Sequence, residues 1–307
     1  MNLKYKLSLV LLLATFIIPS ITYAQLTDLA RVEYTYFPQG DSENSFKRFR
    51  AFVNVPLKVS EDGYIVTGFE YRNFFLKLQD PEVLAAFDKT DLEHYQSFTF
   101  SLGYTDKFKD SDLRYALQGE VKAASNFRTS LESEDIIFGG SGYLIWDRTG
   151  DNEKNPPEKP WRLVLGLNYS TTAGRPFPLP FVNYYREFAP KWSFGLGVPK
   201  SNVKWEFVKD MELQGFVTLD GFFANIQEDI TVTLPDGRQK IAENVGFTTV
   251  LSGIGYEWEF ADHFLFYVYG GYTLVNDIRL RDTNDDDVFT INDTASYYTR
   301  GGIKVKI

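Results

Sequence analysis

The sequence predicts an all-β protein: an antiparallel up-and-down transmembrane β-barrel of about 12 full strands plus a short hairpin, 12–14 strands in all. Three observations predict it. Apolar and polar residues alternate over runs of about ten residues, the length of a tilted membrane strand. Aromatic residues make up 17% of the chain while mean hydropathy is only −0.25, as expected where every second residue of a span meets lipid. The connections between runs alternate between short and long.

The chain opens with a processing signal. Lys4 and Lys6 form a short basic region, Leu7 to Ile18 is an apolar run, Pro19 breaks it, and Thr22-Tyr23-Ala24 ends in the small residue of a cleavage site. Residues 1–24 read as a secretory signal peptide and residues 25–307 as one barrel domain with a bacterial outer-membrane address. The mature segment holds no apolar stretch long enough for a spanning helix. Cysteine is absent from all 307 residues, which excludes disulfides, thiolate metal sites and a lipidated N-terminal cysteine. A formal net charge of −9 argues against a nucleic-acid partner.

The strand signal is period two. In "RFRAFVNVPLKV", Phe49, Ala51, Val53, Val55, Leu57 and Val59 share one face, opposite Arg48, Arg50 and Asn54. "LRYALQGEVKA" sets Leu113, Tyr115, Leu117, Val121 and Ala123 against Arg114, Gln118, Glu120 and Lys122. "WRLVLGLNYS" and "MELQGFVTLD" alternate likewise. Such runs lie near 29–38, 46–59, 63–78, 95–105, 112–124, 135–146, 161–171, 180–188, 191–198, 202–208, 211–225, 245–260, 263–276 and 296–307. Runs 191–198 and 202–208 are short for a span, so the pattern gives twelve full strands plus a short hairpin, or fourteen uneven strands. A short loop helix is expected within 80–95.

Parity orients the barrel. With the first strand starting inside, the periplasmic connections are "SEDG", "TDKFKDSD", "DRTGDNEKNPPEKP", "EFAPKW", "VKDM" and "FADH", mostly short. The external ones, including 226–244 and 277–295, are mostly long and polar, which is the outer-membrane pattern. All five tryptophans, Trp146, Trp161, Trp192, Trp205 and Trp258, flank periplasmic connections and read as an interfacial girdle. The last strand, "YYTRGGIKVKI", is amphipathic, as the barrel-insertion machinery requires, although it ends on Ile307 where such strands usually end on Phe.

Three segments repeat one hairpin: "REFAPKWSFGLGV", "WEFVKDMELQGFV" and "WEFADHFLFYVYG" each carry Glu-Phe, a turn and a bulky apolar re-entry. With "LPFVNYYREFAPKWSFGLGVPKSNVKWEF" at 179–207, these make the chain resemble the uncharacterised, domain-of-unknown-function outer-membrane β-barrel families of Bacteroidetes-type bacteria. The resemblance extends over nearly all of the mature chain. It implies a barrel and an outer-membrane location, and no activity.

Residues that could carry chemistry are few. The only histidines are His94 and His263, and neither lies in the flanking motif of a surface protease or barrel phospholipase, so no catalytic residue and no enzyme activity is expected. In "DTNDDDVFTIND", Asp282, Asn284, Asp286 and Asp293 occupy positions 1, 3, 5 and 12 of a calcium-loop pattern. Asp287 replaces its glycine and an Asp its final Glu, so this is a weak calcium candidate, and no other cofactor is expected.

The polar strand faces assign Arg31, Glu33, Arg48, Arg50, Glu70, Arg72, Arg114, Glu120, Lys122, Arg162, Glu212, Asp220, Arg300, Lys304 and Lys306 to the lumen. Two functions follow. One is a passive, porin-like channel for small solutes with charged walls, since basic rings favour anions. The other is a non-conducting structural or ligand-binding barrel, its interior tied by Arg–Glu pairs, acting through its external loops. A wide, wet lumen favours the first and a filled one the second. The expected partners are outer-membrane lipid, the insertion machinery through the last strand and, for a channel, small solutes. Oligomeric state is not legible.

Overall fold

The computed structural model describes residues 28–39, 42–89, 92–109, 111–149 and 159–306. The expected signal peptide at 1–24, Ile307 and most of the connection at 147–160 lie outside the described residues. A single sheet holds 15 strands. They are β1 (Ala30–Pro38), β2 (Ser45–Lys58), β3 (Tyr64–Lys77), β4 (His94–Lys107), β5 (Leu113–Ser125), β6 (Ile136–Arg148), β7 (Trp161–Ser170), β8 (Phe177–Ala189), β9 (Trp192–Val198), β10 (Lys200–Val208), β11 (Met211–Thr233), β12 (Gln239–Ala261), β13 (Phe264–Arg281), β14 (Asp287–Asn292) and β15 (Tyr297–Val305).

Successive strands pair antiparallel, and β15 closes the ring between β13 and β1, with Gly301 facing Val268 on one side and Tyr34 on the other. The result is a closed barrel of 14 strands plus one extra strand, β14, which pairs with β13 alone. Closure matters because a span in lipid has no water to satisfy an open edge.

The structure decides between the two expected strand counts and corrects two expected loops. The short runs 191–198 and 202–208 are full members of the ring, as β9 and β10. The expected loop 226–244 is a continuation of the β11–β12 ladder out to Thr233↔Gln239, closed by a turn at Asp236–Gly237. Segment 277–295 holds the end of β13 and all of β14, because Asp282 closes a turn by accepting the backbone N–H groups of Asn284 and Asp286. The helix within 80–95 is a single short one, α1 (Pro81–Ala86), started by proline at its first turn and ended by extended backbone at Phe87.

The two barrel faces differ sharply. Val32, Phe69, Phe98, Leu117, Phe138, Leu167, Ile254 and Ile303 all point outward and are exposed. A continuous apolar belt of this kind is untenable in water and is the expected surface of a lipid-embedded barrel. Fold and belt together are those of a bacterial outer-membrane protein. The five tryptophans all lie at the short-turn end, where Trp192 and Trp205 stack with ring centroids 5.5 Å apart.

One departure from a simple barrel positions everything inside. Strands β9 and β10 are only 7 and 9 residues long, whereas β11 and β12 each run for 23. The upper half of β11 therefore rises above the strand that should cover its edge. Every residue from Gly221 to Gln227 is buried, so that this half is covered on both faces and does not belong to the lipid-facing wall.

The lipid face yields a direct check. Ile254 is 69% exposed on β12, four residues along the strand from Trp258. Ile254→Arg is expected to cost about 2–4 kcal/mol near the bilayer midplane, and Phe260→Arg, beyond Trp258, no more than about 1 kcal/mol. Denaturant unfolding of the barrel from lipid vesicles measures both.

Candidate functional site

The site is the barrel interior, organised around β11. Its last partner on β10 is the pair Lys200↔Thr218, and the Leu219 N–H donates to the Pro199 carbonyl at 2.8 Å. Above that point the edge freed from β10 is satisfied from across the lumen. Arg72 of β3 donates to the Gly221 carbonyl at 3.2 Å. The Ser125 hydroxyl of β5 donates to the Asn225 carbonyl at 3.2 Å, and these two residues form a parallel bridge. The Gln227 N–H donates to Asn126 Oδ1 at 3.0 Å. The β11–β12 hairpin thus leans inward and crosses the mouth of the barrel.

Below the crossing lies an ionic cluster. Asp220 accepts from Arg48 Nη2 at 2.8 Å and from Arg300 Nη2 at 2.6 Å, joining β11 to β2 and β15. Arg48 also donates to Glu33 at 3.0 Å, and Glu33 accepts from the Tyr267 hydroxyl at 2.7 Å. Glu70 accepts from Arg50 at 2.6 Å and from Arg72 at 2.5 Å. Glu33 and Arg48 retain 1% and 4% side-chain exposure, so their charges depend on one another rather than on water.

A second cluster sits nearer the periplasmic turns. Glu257 accepts from Lys204 at 2.7 Å, Gln214 at 3.0 Å, Lys304 at 3.1 Å and the Tyr269 hydroxyl. Glu212 accepts from Lys204 at 2.6 Å. The Tyr269 ring fits because Gly255 is beneath it; a Cβ there would collide with the ring. On the external side of Asp220 the space is aromatic: Phe222 lies 3.8 Å from Phe74 and 5.8 Å from Phe247, which in turn lies 5.0 Å from Phe46.

External segments cover the crossing. Asp135 accepts from Asn225 at 2.9 Å and from Gln227 at 2.7 Å, and Arg128 pairs with Glu228 at 2.9 Å. Phe87, just past α1, meets Phe289 of β14 edge-on at 5.5 Å. Hairpin, helix and β14 therefore share one apolar cluster that includes Val83, Val232, Leu280 and Val288.

Most residues assigned to the lumen from sequence fall in these networks: Arg31 (on Asp28), Glu33, Arg48, Arg50, Glu70, Arg72, Glu212, Asp220, Arg300 and Lys304. Lys122 is buried and donates to the Thr171 hydroxyl at 2.6 Å, while Glu120 lies beside Gly139 on the same wall. Arg114 and Arg162 are drawn instead to the short-turn end, by the Asp62 carbonyl and by Asp147. Lys306 follows the end of β15, its N–H donating to the His263 carbonyl.

Sequence reasoning missed Asp28, Lys200, Lys204, Glu257, Tyr267 and Tyr269. Strict alternation along β10 and β12 marks Lys200, Lys204 and Glu257 as inward. The two tyrosines were hidden because the same residue type serves as wall and as filling.

The calcium candidate is spread along the chain. Asp282 closes its own turn, β14 then occupies Asp287–Asn292, and Asp293 follows beyond that strand. Asp287 pairs with Arg279 and Arg281. Among the described residues no group of three or more His, Asp or Glu side chains could hold a metal ion. His94 lies 2.7 Å from Asn73 Oδ1 and stacks on Phe75 at 4.7 Å.

With this geometry in place, comparison with known proteins finds a family match over part of the chain. Residues 157–306 match a family described as Domain of unknown function (DUF6268). That span runs from β7 to β15 and includes both long strands, but not nearly all of the mature chain. No curated protein matches. Solved structures similar to this chain include a KdgM porin, 8% identical over 90% of this chain and 99% of the other, with a TM-score of 0.35. Another is a TodX monoaromatic hydrocarbon channel mutant, 8% identical over 91% and 90%, TM-score 0.40. A third is LpxR from Salmonella typhimurium, 8% identical over 91% and 100%, TM-score 0.37. The fold assignment rests on the closed ladder itself.

Removing the shared acceptor tests the upper cluster. Asp220→Ala leaves Arg48 and Arg300 facing each other without it, and a loss of about 3–5 kcal/mol in unfolding free energy is expected. Asp220→Asn, which keeps an acceptor oxygen, is expected to lose less. A loss below about 1 kcal/mol for the alanine variant would mean that water solvates both guanidinium groups.

Proposed function

We propose that this protein is a non-conducting outer-membrane barrel that acts through its external cap rather than a passive solute channel. The observation that carries this reading is the inward crossing of β11, buried on both faces from Gly221 to Gln227 and bonded to β3 and β5 across the lumen. The ionic clusters support it, because a guanidinium with two carboxylate partners is a structural tie and not a free charge lining a passage. The aromatic filling around Phe222 supports it in the same way.

On this reading the functional surface is the external cap: α1, segment 126–135, the 226–244 hairpin and β14. The barrel holds the cap at a fixed height above the bilayer. Its partners are the surrounding lipid and, during biogenesis, the insertion machinery that engages β15. No catalytic step is assigned. His94 is engaged by Asn73 and Phe75, and His263 sits in a periplasmic turn at φ 69°.

Planar-bilayer recording of the full-length protein tests the reading. The wild type is expected to give no stepwise conductance under an anion gradient. Replacing 221–248 with a short turn is expected to give open steps, because it removes the part of β11 that bonds to β3 and β5 together with its β12 partner. Stable, anion-selective steps from the wild type would overturn the proposal in favour of the channel.

A further inference from the structure

The inward departure of β11 leaves a gap in the wall. Strand β8 is paired with β7 along its whole upper part, Phe177↔Ser170 to Val182↔Leu165, but its pairing with β9 begins only at Val182↔Val198. On the other side, β11 has no β10 partner above Thr218. Between β8 and β11, above the β9–β10 hairpin tip, no strand completes the ring. Three interstrand spacings of about 4.8 Å separate the two edges at the tip, roughly 14 Å, which is wider than an alkyl chain.

An unpaired edge at the level of lipid is costly, less so where its donors are removed. Here they are. The Val182 carbonyl points toward β9, since a Cβ on Gly197 would collide with it. Backbone groups two residues apart point the same way, so the N–H positions of residues 180 and 178 face the gap. Both residues are proline and have no N–H to leave unbonded. The gap is also framed above. Segment 171–174 rests on the outer face of the crossing hairpin, where the Thr248 hydroxyl donates to the Ala173 carbonyl at 2.9 Å. Gly221 and Gly246 permit that approach, as a Cβ on either would strike this segment.

The framing side chains are amphipathic in a definite order. Val182 and Val198 are exposed to lipid outside. Phe181 points inward, edge-on to Tyr143 at 5.1 Å. Lys200 stands on the inner side of the sill. It donates to the neutral Gln214 carbonyl oxygen at 3.1 Å and lies 5.3 Å from the Phe216 ring. Among the described residues it has no ion pair, whereas Lys204 and Lys304 on the same cluster both hold Glu257. Arg175, exposed at the upper frame, adds a second positive charge above Phe177.

We infer that this gap is a lateral port through which an acyl chain of an acidic outer-leaflet lipid enters the barrel wall, its phosphate at Arg175 on the external frame and its chain descending along Phe181 toward the sill. The occupant follows from continuity and charge. The port opens onto the apolar belt, its inner edge is aromatic, and its available charges are cationic. The port does not depend on whether the barrel conducts along its axis.

The absence of native cysteine allows a clean test. Single cysteines at Leu179 (inward at the port), Val182 (outward) and Ser141 (inward, on β6) carry a bimane label in the full-length protein. The vesicles are phosphatidylcholine containing phosphatidic acid brominated on its acyl chains. The label at 179 is expected to be quenched, as is that at 182, while that at 141 is not. Arg175→Gln should reduce quenching at 179 several-fold, Arg175→Lys should restore it, and quenching at 182 reports insertion of every variant. Quenching at 182 without quenching at 179 would overturn the port. So would equal quenching at 141, or quenching at 179 that brominated phosphatidylcholine reproduces and Arg175→Gln leaves unchanged.

Discussion

The rest of this structure depends on how the free edge of β11 is satisfied. A strand in a bilayer must place every backbone donor and acceptor on another strand, and a closed ring does this automatically. From Leu219 onward β11 has lost its ring neighbour on one side. Its edge is completed instead by Arg72, Ser125 and Asn126, which lie on the opposite wall. That solution forces the hairpin across the mouth. Gly221, which would meet lipid, then lies against segment 171–174, and Phe223 two residues on is buried.

The electrostatics follow from the same geometry. Once β11 leans inward, Asp220 is carried into the centre of the barrel, where a lone carboxylate would be costly. Arg48 and Arg300 reach it from β2 and β15, and Glu33 also accepts from Arg48. Carboxylates and cations alternate through the cluster, which is why a lumen that reads as strongly basic by strand parity has little free positive charge. Lys122 and Lys200 are different: their hydrogen bonds go to a hydroxyl and an amide oxygen. The short β9–β10 hairpin that frees the edge of β11 is also what leaves β8 uncovered, so the cap and the lateral gap have a single cause.

Much of the fold was legible because alternation is a strong signal wherever one face meets lipid. Strands β2, β5 and β7 carry it without interruption, and the tryptophans mark their lower ends. It fails where both faces are buried. In "LDGFFANIQ" the pattern gives way to a continuous run, Gly221-Phe222-Phe223-Ala224, which reads as the approach to a loop but is a strand covered on both sides. Strands β9 and β10, at 7 and 9 residues, leave the sequence open between an appended hairpin and two uneven members of the ring, and the low rim at Pro199 accommodates them in the ring. The lumen charges were legible one by one from parity. Their pairing was not, since Asp220 and Arg48 are 172 residues apart and meet only through the crossing.

The most direct measurement of that crossing is a disulfide between β5 and β11 in intact outer membranes. Ser125 and Asn225 are bridge partners in the structure, close enough for a disulfide, and the chain has no cysteine of its own. The Ser125→Cys/Asn225→Cys double variant should cross-link rapidly within one chain under mild oxidation and still reach the membrane. A properly inserted double variant whose thiols remain free, while a pair placed at the neighbouring-strand positions Phe69 and Phe100 does cross-link, would contradict the crossing and with it the closed lumen.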